Sequence, residues 1–306
     1  MGRRERKKSR KLWLKIPLIV ILVLVLAIGG YAFSVYLNAK NTVNNKMHDP
    51  VETIDTDLTK KKLQDTEKIN ILLLGIDSEG EGNQKGRSDA ILVMQLDPEE
   101  DSIEIVSIPR DTRTEIVGKG MEDKINHAFA FGGAEMSVAT VENFLDIEMD
   151  YYVNINMDGL VELVDELGTI TIHNDTEWSD KGYDFPEGKL EMDGDKTKAF
   201  VRMRKKDPAG DFGRTQRQRK VIEGIINEGA QVGSVPKFSS MVDILGDNMN
   251  TNMDFDDMKV LFNSYRDTRR NVSEHMIEGT GQKIDGVYYL IVPDEEKQKA
   301  RDILTE

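Results

Sequence analysis

The feature that most constrains this chain is an uncharged apolar segment near its N-terminus. Residues 16–33 carry no charge, and they follow a leader, residues 1–15, with eight basic side chains and one acidic side chain. At about 1.5 Å rise per residue, the segment would span roughly 27 Å as a helix, close to the hydrocarbon thickness of a bilayer. Trp13, Tyr31 and Tyr36 stand near its two ends, where aromatic side chains favour the membrane interface.

We therefore predict an uncleaved signal anchor over residues 16–36, with residues 1–15 as a basic cytoplasmic tail. Basic flanks stay in the cytoplasm, so the rest of a single-pass protein of the cell membrane would lie outside it. A cleavable signal peptide is the alternative, but its apolar core is usually about 7–15 residues long. Residues 37–68 are polar and predict a stalk, and residues 69–306 predict one extracytoplasmic catalytic domain.

The composition excludes several kinds of site. The chain has no cysteine and four histidines. It therefore has no disulfide, no thiolate zinc site and no cysteine nucleophile. No two histidines have the spacing of metal ligands, and His127 is expected to help organise the start of a helix.

Positive charge is concentrated in one stretch of an acidic chain. The formal net charge is −14, yet residues 201–220 hold eight Lys and Arg against two Asp. Nucleic acid, the usual partner of an Arg-rich run, is not expected outside the membrane. Surface ion pairs contribute only about 0–1 kcal/mol, so gathered cations make better sense around another multiply charged anion.

The domain has an α/β pattern. Residues 69–77 form a continuous apolar run, as in a strand buried on both faces, and residues 90–97 and 102–109 predict two more strands joined by a tight turn. Strands and helices then alternate, which predicts a three-layer α/β/α fold with a central mixed β-sheet. The later predicted elements are helices at 133–146, 157–168, 193–204, 214–231, 236–250 and 255–267, and strands at 151–156, 169–174 and 287–292.

Four motifs place charged residues beyond predicted strands or at helix starts, where open α/β sheets have their sites. Two nearby carboxylates suit Mg²⁺, with Mn²⁺ as an alternative, and leave positions for phosphate oxygens. Guanidinium groups bind phosphate bidentately, and a helix start favours an anion. These features predict a pyrophosphate site. The residues are Asp77; Arg87 and Asp89; Arg110 and Asp111; and Arg202, Arg204, Asp211, Arg214 and Arg217.

The chain resembles the LytR-CpsA-Psr family of membrane-anchored bacterial envelope proteins over residues 69–225. Seven segments occur in the family's order: LLLGIDS, GRSDAILV, VSIPRDTR, DKINHAFAFGG, YYVNINMDGLVELVDELG, VRMR and DFGRTQRQ. Within the family it is most similar to the Bacillus-type wall teichoic acid transferases. Gly168-Thr169 and Phe200-Val201 depart from the family's pattern, at positions that concern the shape of the lipid slot.

The resemblance implies a phosphotransferase. Such an enzyme moves an anionic glycopolymer, here wall teichoic acid, from a polyprenyl pyrophosphate carrier to the muramic acid 6-hydroxyl of peptidoglycan with the help of Mg²⁺. By motif, Asp77 and Asp89 would hold the metal, Arg110 would lie nearest the reacting phosphate, and Gln218 would contact the head group. The pyrophosphate would be surrounded by Arg87, Arg202, Arg204, Arg214 and Arg217.

Three points stay open at this level. The base that accepts the hydroxyl proton is Asp211 or one of the two metal-facing carboxylates. A non-catalytic envelope sensor that binds lipid pyrophosphate or anionic polymer is an alternative function, although it would gain nothing from Asp77 and Asp89 without a metal. A lipid-pyrophosphate hydrolase, with water in place of the sugar hydroxyl, is the other alternative.

Overall fold

The structure is a computed structural model that describes residues 29–77, 86–203, 211–229 and 237–305. Its strands are β1 Ile69–Asp77, β2 Arg87–Asp97, β3 Ser102–Ser107, β4 Arg113–Ile116, β5 Met121–Lys124, β6 Tyr151–Asn156, β7 Ile170–Asn174, β8 Trp178–Asp180, β9 Tyr183–Phe185, β10 Gly188–Met192, β11 Met249–Thr251, β12 Asn271–Met276, β13 Thr280–Ile284 and β14 Val287–Ile291. Its helices are α1 (residues 29–42, continued by the π-helical turn Val43–Met47), α2 Thr56–Asp65, α3 His127–Leu145, α4 Met157–Leu167, α5 Gly194–Arg202, α6 Asp211–Gly229, α7 Phe238–Asn248, α8 Phe255–Ser264 and α9 Asp294–Ile303, with a 3₁₀ turn at Arg266–Arg270.

The central sheet has the strand order β11-β6-β1-β2-β3-β12. β1 pairs in parallel with β6 and antiparallel with β2, while β3 is antiparallel to β2 and parallel to β12. The predicted mixed sheet is therefore confirmed. The short turn between β2 and β3 makes that pair antiparallel, because a parallel pair needs a much longer crossover.

One face of this sheet is closed by α3 and α9. Leu72, Leu74 and Ile76 of β1 belong to one buried apolar cluster with Val138 and Leu145 of α3. The cluster continues into α9 and the neighbouring strands, and its members are almost without solvent exposure. The side chains on this face fill the space between sheet and helices, as in most protein interiors.

The other face is covered by two separate groups of helices. At the edge where β1 begins, Ile71 and Leu96 pack with Met253 and Tyr265 beside α8. At the edge where β1 ends, α4, α5 and α6 form their own apolar cluster with the small sheet of β7 and β10. Helices on both faces complete the three layers that the sequence predicts.

Local signals explain where the helices next to the site begin and end. The Asn156 side chain accepts a hydrogen bond from Gly159 N at 2.7 Å and caps the start of α4, and Gly168, with φ 99°, caps its end. The Asp193 side chain caps α5 through Lys196 N at 2.9 Å. Such caps satisfy backbone donors that a helix start leaves unpaired.

The stalk predicted at residues 37–68 is wrong for much of that segment. Ala39, Val43 and Met47 are buried at a spacing of four residues, and Leu63 of α2 is buried as well. Val43 and Met47 pack against Met249. A short apolar stripe at helical spacing is enough to dock a polar segment, and this stripe is too sparse to stand out in the composition.

The predicted tail and most of the predicted anchor lie outside the described residues. Within the part of the chain that the structure describes, no helix combines the length and the apolar character needed to cross a bilayer. α1 includes the last residues of the predicted anchor, and Tyr31 and Phe33 on it are exposed.

Candidate functional site

The candidate site lies at the edge of the sheet where β1 ends and β2 begins. Asp77 and Arg87 lie opposite each other in the β1–β2 ladder. The register shifts next to Gly75, which pairs with Ala90, while Ile76 pairs with Ser88. Asp89 is therefore an extra residue in β2, a β-bulge of the kind that re-aims a side chain at the end of a strand.

Asp89 is the centre of the charged cluster. One of its carboxylate oxygens accepts a hydrogen bond from Arg110 Nη1 at 2.9 Å, and Asn126 Nδ2 lies 3.4 Å from the same oxygen. The other oxygen lies 2.8 Å from Arg214 Nη2. The Asp89 side chain is only 10% exposed. Buried ion pairs of this kind depend on both partners, because removal of one leaves the other charge uncompensated.

Arg202 and Arg214 reach this cluster from the ends of two helices. α5 ends at Arg202, whose Nη2 donates to Asp77 Oδ1 at 3.0 Å, and Met203 after it is extended. Arg214 lies in the first turns of α6 and is 3% exposed. Arg202 and Arg214 therefore lie on two separate helices, as predicted for the basic stretch.

Arg217 has a different environment. Its Nε donates to the carbonyl of Phe200 at 3.0 Å, and its Nη2 donates to the carbonyl of Met203 at 2.6 Å. Its guanidinium also lies 5.7 Å from the ring centre of Trp178. Arg217 thus satisfies carbonyls at the C-terminal end of α5, and this contact holds the helix that carries Arg202.

Behind the charged cluster lies a cavity of about 200 Å³ between the sheet and helices α4 and α6. Asp77, Asp89, Arg202, Arg214 and Gln218 stand at one end of it. The rest of its wall is almost entirely apolar: Leu73, Leu74, Gly75, Ile76, Ala90, Leu92, Val153, Ile155, Met157, Leu160, Leu163, Val201, Ile222, Ile225 and Met249, with Asn156 as the polar exception. An apolar cavity with charged groups at its mouth suits an amphiphile with an anionic head.

The cavity exists because two facing residues are small. Gly75 and Ala90 are paired across β1 and β2, and a Cβ added to Gly75 would lie 3.0 Å from the Cβ of Ala90. Along α6, the cavity runs from Arg214 to Ile225, which corresponds to about 16 Å of helix. Larger side chains at these two strand positions would project into the space.

Gln218 contributes a polar group to the same mouth. It is partly buried, and its Oε1 atom is buried with no hydrogen-bond partner among the described residues. A buried polar atom of this kind normally finds a partner in protein, water or ligand. Gln218 therefore has a polar atom that a bound ligand could satisfy.

Arg110 is also held from behind. Its Nε lies 3.7 Å from Asp111 Oδ2, and Asp111 Oδ1 in turn accepts from Lys124 Nζ at 2.6 Å. Acidic and basic groups therefore alternate from Lys124 through Asp111, Arg110 and Asp89 to Arg214. Lys124 and Asn126 belong to the motif DKINHAFAFGG, but the sequence assigned neither of them a role, because a single Lys or Asn carries no periodic signal.

His127 begins α3 next to this network. Its Nδ1 lies 2.7 Å from Asp123 Oδ2, and Tyr289 Oη donates to Asp123 Oδ1 at 3.3 Å. Burial alone would raise the pKa of the Asp123 carboxyl, but these hydrogen bonds and one from Lys124 N hold that pKa below its ordinary value. The contact fits the expected structural role of His127 at a helix start.

The remaining predicted residues are placed less completely. Arg87 is exposed at the first position of β2, beside Asp77. Arg204 lies outside the described residues, and Asp211 is described only as the first residue of α6. No group of three or more His, Cys, Asp or Glu suited to a metal occurs in the described ranges, so a metal here would depend on Asp77, Asp89 and ligand oxygens.

Known proteins are similar to this chain over most of its length. The model of the LytR_cpsA_psr family matches residues 31–306. The chain belongs to the LytR_cpsA_psr family. It is 42% identical over 287 residues to the "Polyisoprenyl-teichoic acid--peptidoglycan teichoic acid transferase TagU" of Bacillus subtilis (strain 168), an alignment that covers 94% of this chain and 93% of that protein.

Solved structures are similar as well. The crystal structure of B. subtilis TagU aligns with a TM-score of 0.64 at 40% identity and covers 78% of this chain and 97% of that one. A structure described as "TagT bound to LIIa-WTA" aligns with a TM-score of 0.64 at 30% identity, over 78% of this chain and 89% of that one. The family predicted from the seven motifs is therefore confirmed.

Proposed function

We propose that this protein transfers teichoic acid from a polyisoprenyl pyrophosphate carrier to peptidoglycan. The observation that carries the proposal is the apolar cavity whose mouth is formed by Asp77, Asp89, Arg202 and Arg214. The relative with 42% identity is named for that activity, which supports the same conclusion. A sensor would need the anion-binding groups but not the two carboxylates among them.

The donor would bind with its two ends in different environments. The prenyl tail would lie along α4 and α6 in the apolar part of the cavity, where burial contributes about 25 cal/mol per Å² of apolar surface. The pyrophosphate would lie at the mouth, where Arg202 and Arg214 neutralise its charge, with Arg87 and Arg204 expected beside it. A buried guanidinium binds phosphate more strongly than an exposed one, because water screens it less.

The chemical step is a phosphoryl transfer. The muramic acid 6-hydroxyl oxygen forms a bond to the phosphorus that carries the glycopolymer, and the bond from that phosphorus to polyprenyl phosphate breaks. Arg110 is held between Asp89 and Asp111, and in the proposed reaction its fixed guanidinium would lie beside the reacting phosphate. Such fixed charge stabilises a transition state without reorganisation.

The residues at the mouth fit a divalent cation. Asp77 and Asp89 line the same end of the cavity, and hard carboxylate oxygens with phosphate oxygens are what Mg²⁺ prefers. When bound, Mg²⁺ or Mn²⁺ would neutralise charge on the pyrophosphate oxygens. The hydroxyl proton would pass to a carboxylate, either Asp211 or one of these two.

The location of the reaction is part of the proposal. The basic leader and the uncharged segment at residues 16–33 support a single signal anchor, with the catalytic domain outside the membrane. A membrane-held carrier and a wall acceptor are both accessible from that side. The basic cluster then takes phosphates rather than nucleic acid.

The test combines full-length protein in detergent with a short-chain polyisoprenyl-pyrophosphate glycan, peptidoglycan oligomers and Mg²⁺, followed by mass spectrometry. We expect a phosphodiester-linked product that disappears in Arg110→Ala and Asp89→Ala. Binding without turnover would favour the sensor. Release of free glycan phosphate without linkage would favour the hydrolase.

A further inference from the structure

A kink in α3 opens a second groove on the face of the sheet opposite the cavity. Gly133 has φ 64° and ψ −149°, and Gly132 has φ −154° and ψ 21°, both outside helical values. The conformation of Gly133 is one that other residues adopt only with strain. A Cβ on Gly132 would lie 2.8 Å from the Met136 side chain. The two glycines therefore fix the kink.

The groove has a volume of about 400 Å³. One wall is the chain segment 49–51, the other is the kinked stretch 129–135 of α3, and Asn154 of β6 lies between them. Phe131 is 42% exposed, and the Lys119 ammonium lies 5.4 Å from its ring centre. An aromatic face beside polar groups is typical of sites for small polar molecules with apolar faces, such as sugars.

The groove and the cavity share strand β6. Val153 and Ile155 line the cavity, whereas Asn154 between them lines the groove, because successive side chains of a strand point to opposite faces. Asn126, which directly precedes α3, donates to Asp89, and Ala130 in the groove wall follows four residues later, about 6 Å along the helix. The groove therefore begins close to the charged mouth.

The carboxylates of the groove indicate the charge of its ligand. Glu135 accepts hydrogen bonds from Glu52 N at 2.6 Å and Thr53 N at 3.0 Å and thereby holds the opposite wall in place. Asp49 lines the same wall. Negative groups repel an anionic polymer, so this groove selects against teichoic acid and for an uncharged sugar chain.

We propose that this groove binds the glycan strand of the acceptor, a chain of alternating N-acetylhexosamines. The reaction of the bound glycan rests on the proposed function. Binding of the glycan in the groove does not depend on it. In an in-line transfer the hydroxyl enters opposite the leaving oxygen. With polyprenyl phosphate leaving towards the cavity, the acceptor oxygen enters from the α3 side, beside Arg110.

The test uses a tetrasaccharide of alternating N-acetylglucosamine and N-acetylmuramic acid whose lactyl carboxyls are amidated, so that the chain is uncharged, titrated calorimetrically into the full chain in detergent. Ala130→Trp places a large ring at an exposed position of the groove wall, and we expect the tetrasaccharide to bind at least about tenfold more weakly. Asn143→Trp is the matched control, since Asn143 is exposed on the same helix beyond the kink. Phe131→Ala should weaken binding by roughly three- to tenfold.

Two readouts separate the groove from the reaction. In the transfer assay, Ala130→Trp should raise the KM for the glycan acceptor and leave donor binding unchanged. Equal tetrasaccharide affinity in wild type and Ala130→Trp would overturn the groove assignment even if transfer is observed. A different outcome is that the wild-type protein binds the tetrasaccharide but catalyses no transfer, while Ala130→Trp abolishes the binding. That outcome would uphold the groove assignment and reject the transferase.

Discussion

The two faces of the central sheet differ, although the same strands form both. On the α3 and α9 face, Leu72 and Leu74 of β1 meet Val138 and Leu145, and the space between them is filled. On the α4 and α6 face, the residues that alternate with them leave a cavity of about 200 Å³ that opens among charged side chains. At these residues the first face stabilises the fold, and the second face offers an apolar cavity to a ligand.

The helices on the two faces are also held differently. α3 and α9 belong to the large apolar cluster. α6 is tied to the sheet by Arg214 with Asp89 and by Arg219 with Glu274 of β12, in addition to its apolar contacts. We infer that substitutions on the filled face change stability first, and that those on the hollow face change activity first.

The largest effect should come from Asp89 at the bulge. Asp89→Asn removes the charge that holds Arg110 and Arg214, and we expect the transfer rate to fall by about 10³-fold, the range for a lost preorganised charge contact. The control is the preceding residue, Ser88, which is buried and pairs with Ile76 of the filled face. Ser88→Ala should keep wild-type transfer. A rate for Asp89→Asn within tenfold of wild type would contradict the role of this cluster.

The next effect concerns stability and compares one substitution on the two faces. Leu145→Ala removes a fully buried side chain from the filled face, and the free energy of unfolding should fall by about 3 kcal/mol. Leu160→Ala acts on a side chain that already lines the cavity and should cost about 1 kcal/mol. Denaturant unfolding of both variants measures the difference. Equal losses would mean that the two faces are packed alike.

A third substitution fills the hollow face. Ala90→Phe should lower kcat/KM for the lipid-linked donor by about 50-fold, since its ring would occupy the tail site. Its free energy of unfolding should change by less than about 1 kcal/mol, because there is room for the ring. The matched variant Val93→Phe lies on the filled face of the same strand and should lose about 1–3 kcal/mol from overpacking. The opposite ranking of these two stabilities would reject the hollow-face account.

The smallest effect is a pH dependence on the α6 side. Burial, and then the neighbouring Glu274 carboxyl, raise the pKa of Glu223 from its ordinary value of 4.5. The unfolded chain releases this proton at lower pH than the folded chain does. The free energy of unfolding therefore falls as the pH rises through the window between the two pKa values and then levels off.

Glu223→Gln should flatten that decline and stabilise the protein above the window. The gain should stay below about 1 kcal/mol, because the side chain is 45% exposed and water screens it. Unfolding curves at pH 4.5 and pH 7 for both proteins give the slope. Amide exchange should show the change in α6 and not in α3. If the variant shows the same slope of unfolding free energy against pH as the wild type, Glu223 does not cause the pH dependence.

Much of the site could be predicted from the sequence, because its groups are attached to local patterns. The run at residues 69–77 predicted β1 and thereby placed Asp77 at a strand end, and the structure has the same bounds. The break between Arg202 and Arg214 was visible as a change from helical spacing to a Pro- and Gly-containing loop. Sequence patterns locate such ends well when turn residues accompany them.

The features that sequence did not predict depend on contacts between distant segments. The alternation of side chains along β2 does not indicate that Asp89 forms a bulge, because the register shift is visible only in the pairing of β2 with β1. The hydrogen bonds from Arg217 to the carbonyls of Phe200 and Met203 likewise join α6 to the end of α5, and nothing in the spacing of the basic stretch indicates them. The cavity itself results from Gly75 and Ala90 meeting across two strands, and a missing side chain leaves no periodic signal.

The central claim is that the hollow face holds the lipid tail. The most direct measurement is photocrosslinking of the full chain in detergent with a polyisoprenyl pyrophosphate that carries a diazirine in its tail, followed by peptide mapping. We predict adducts on cavity-lining peptides of α4 and α6, such as those with Leu160 and Ile222, that are lost in Ala90→Phe and retained in Val93→Phe. Adducts confined to surface peptides, or equally strong in Ala90→Phe, would contradict the account.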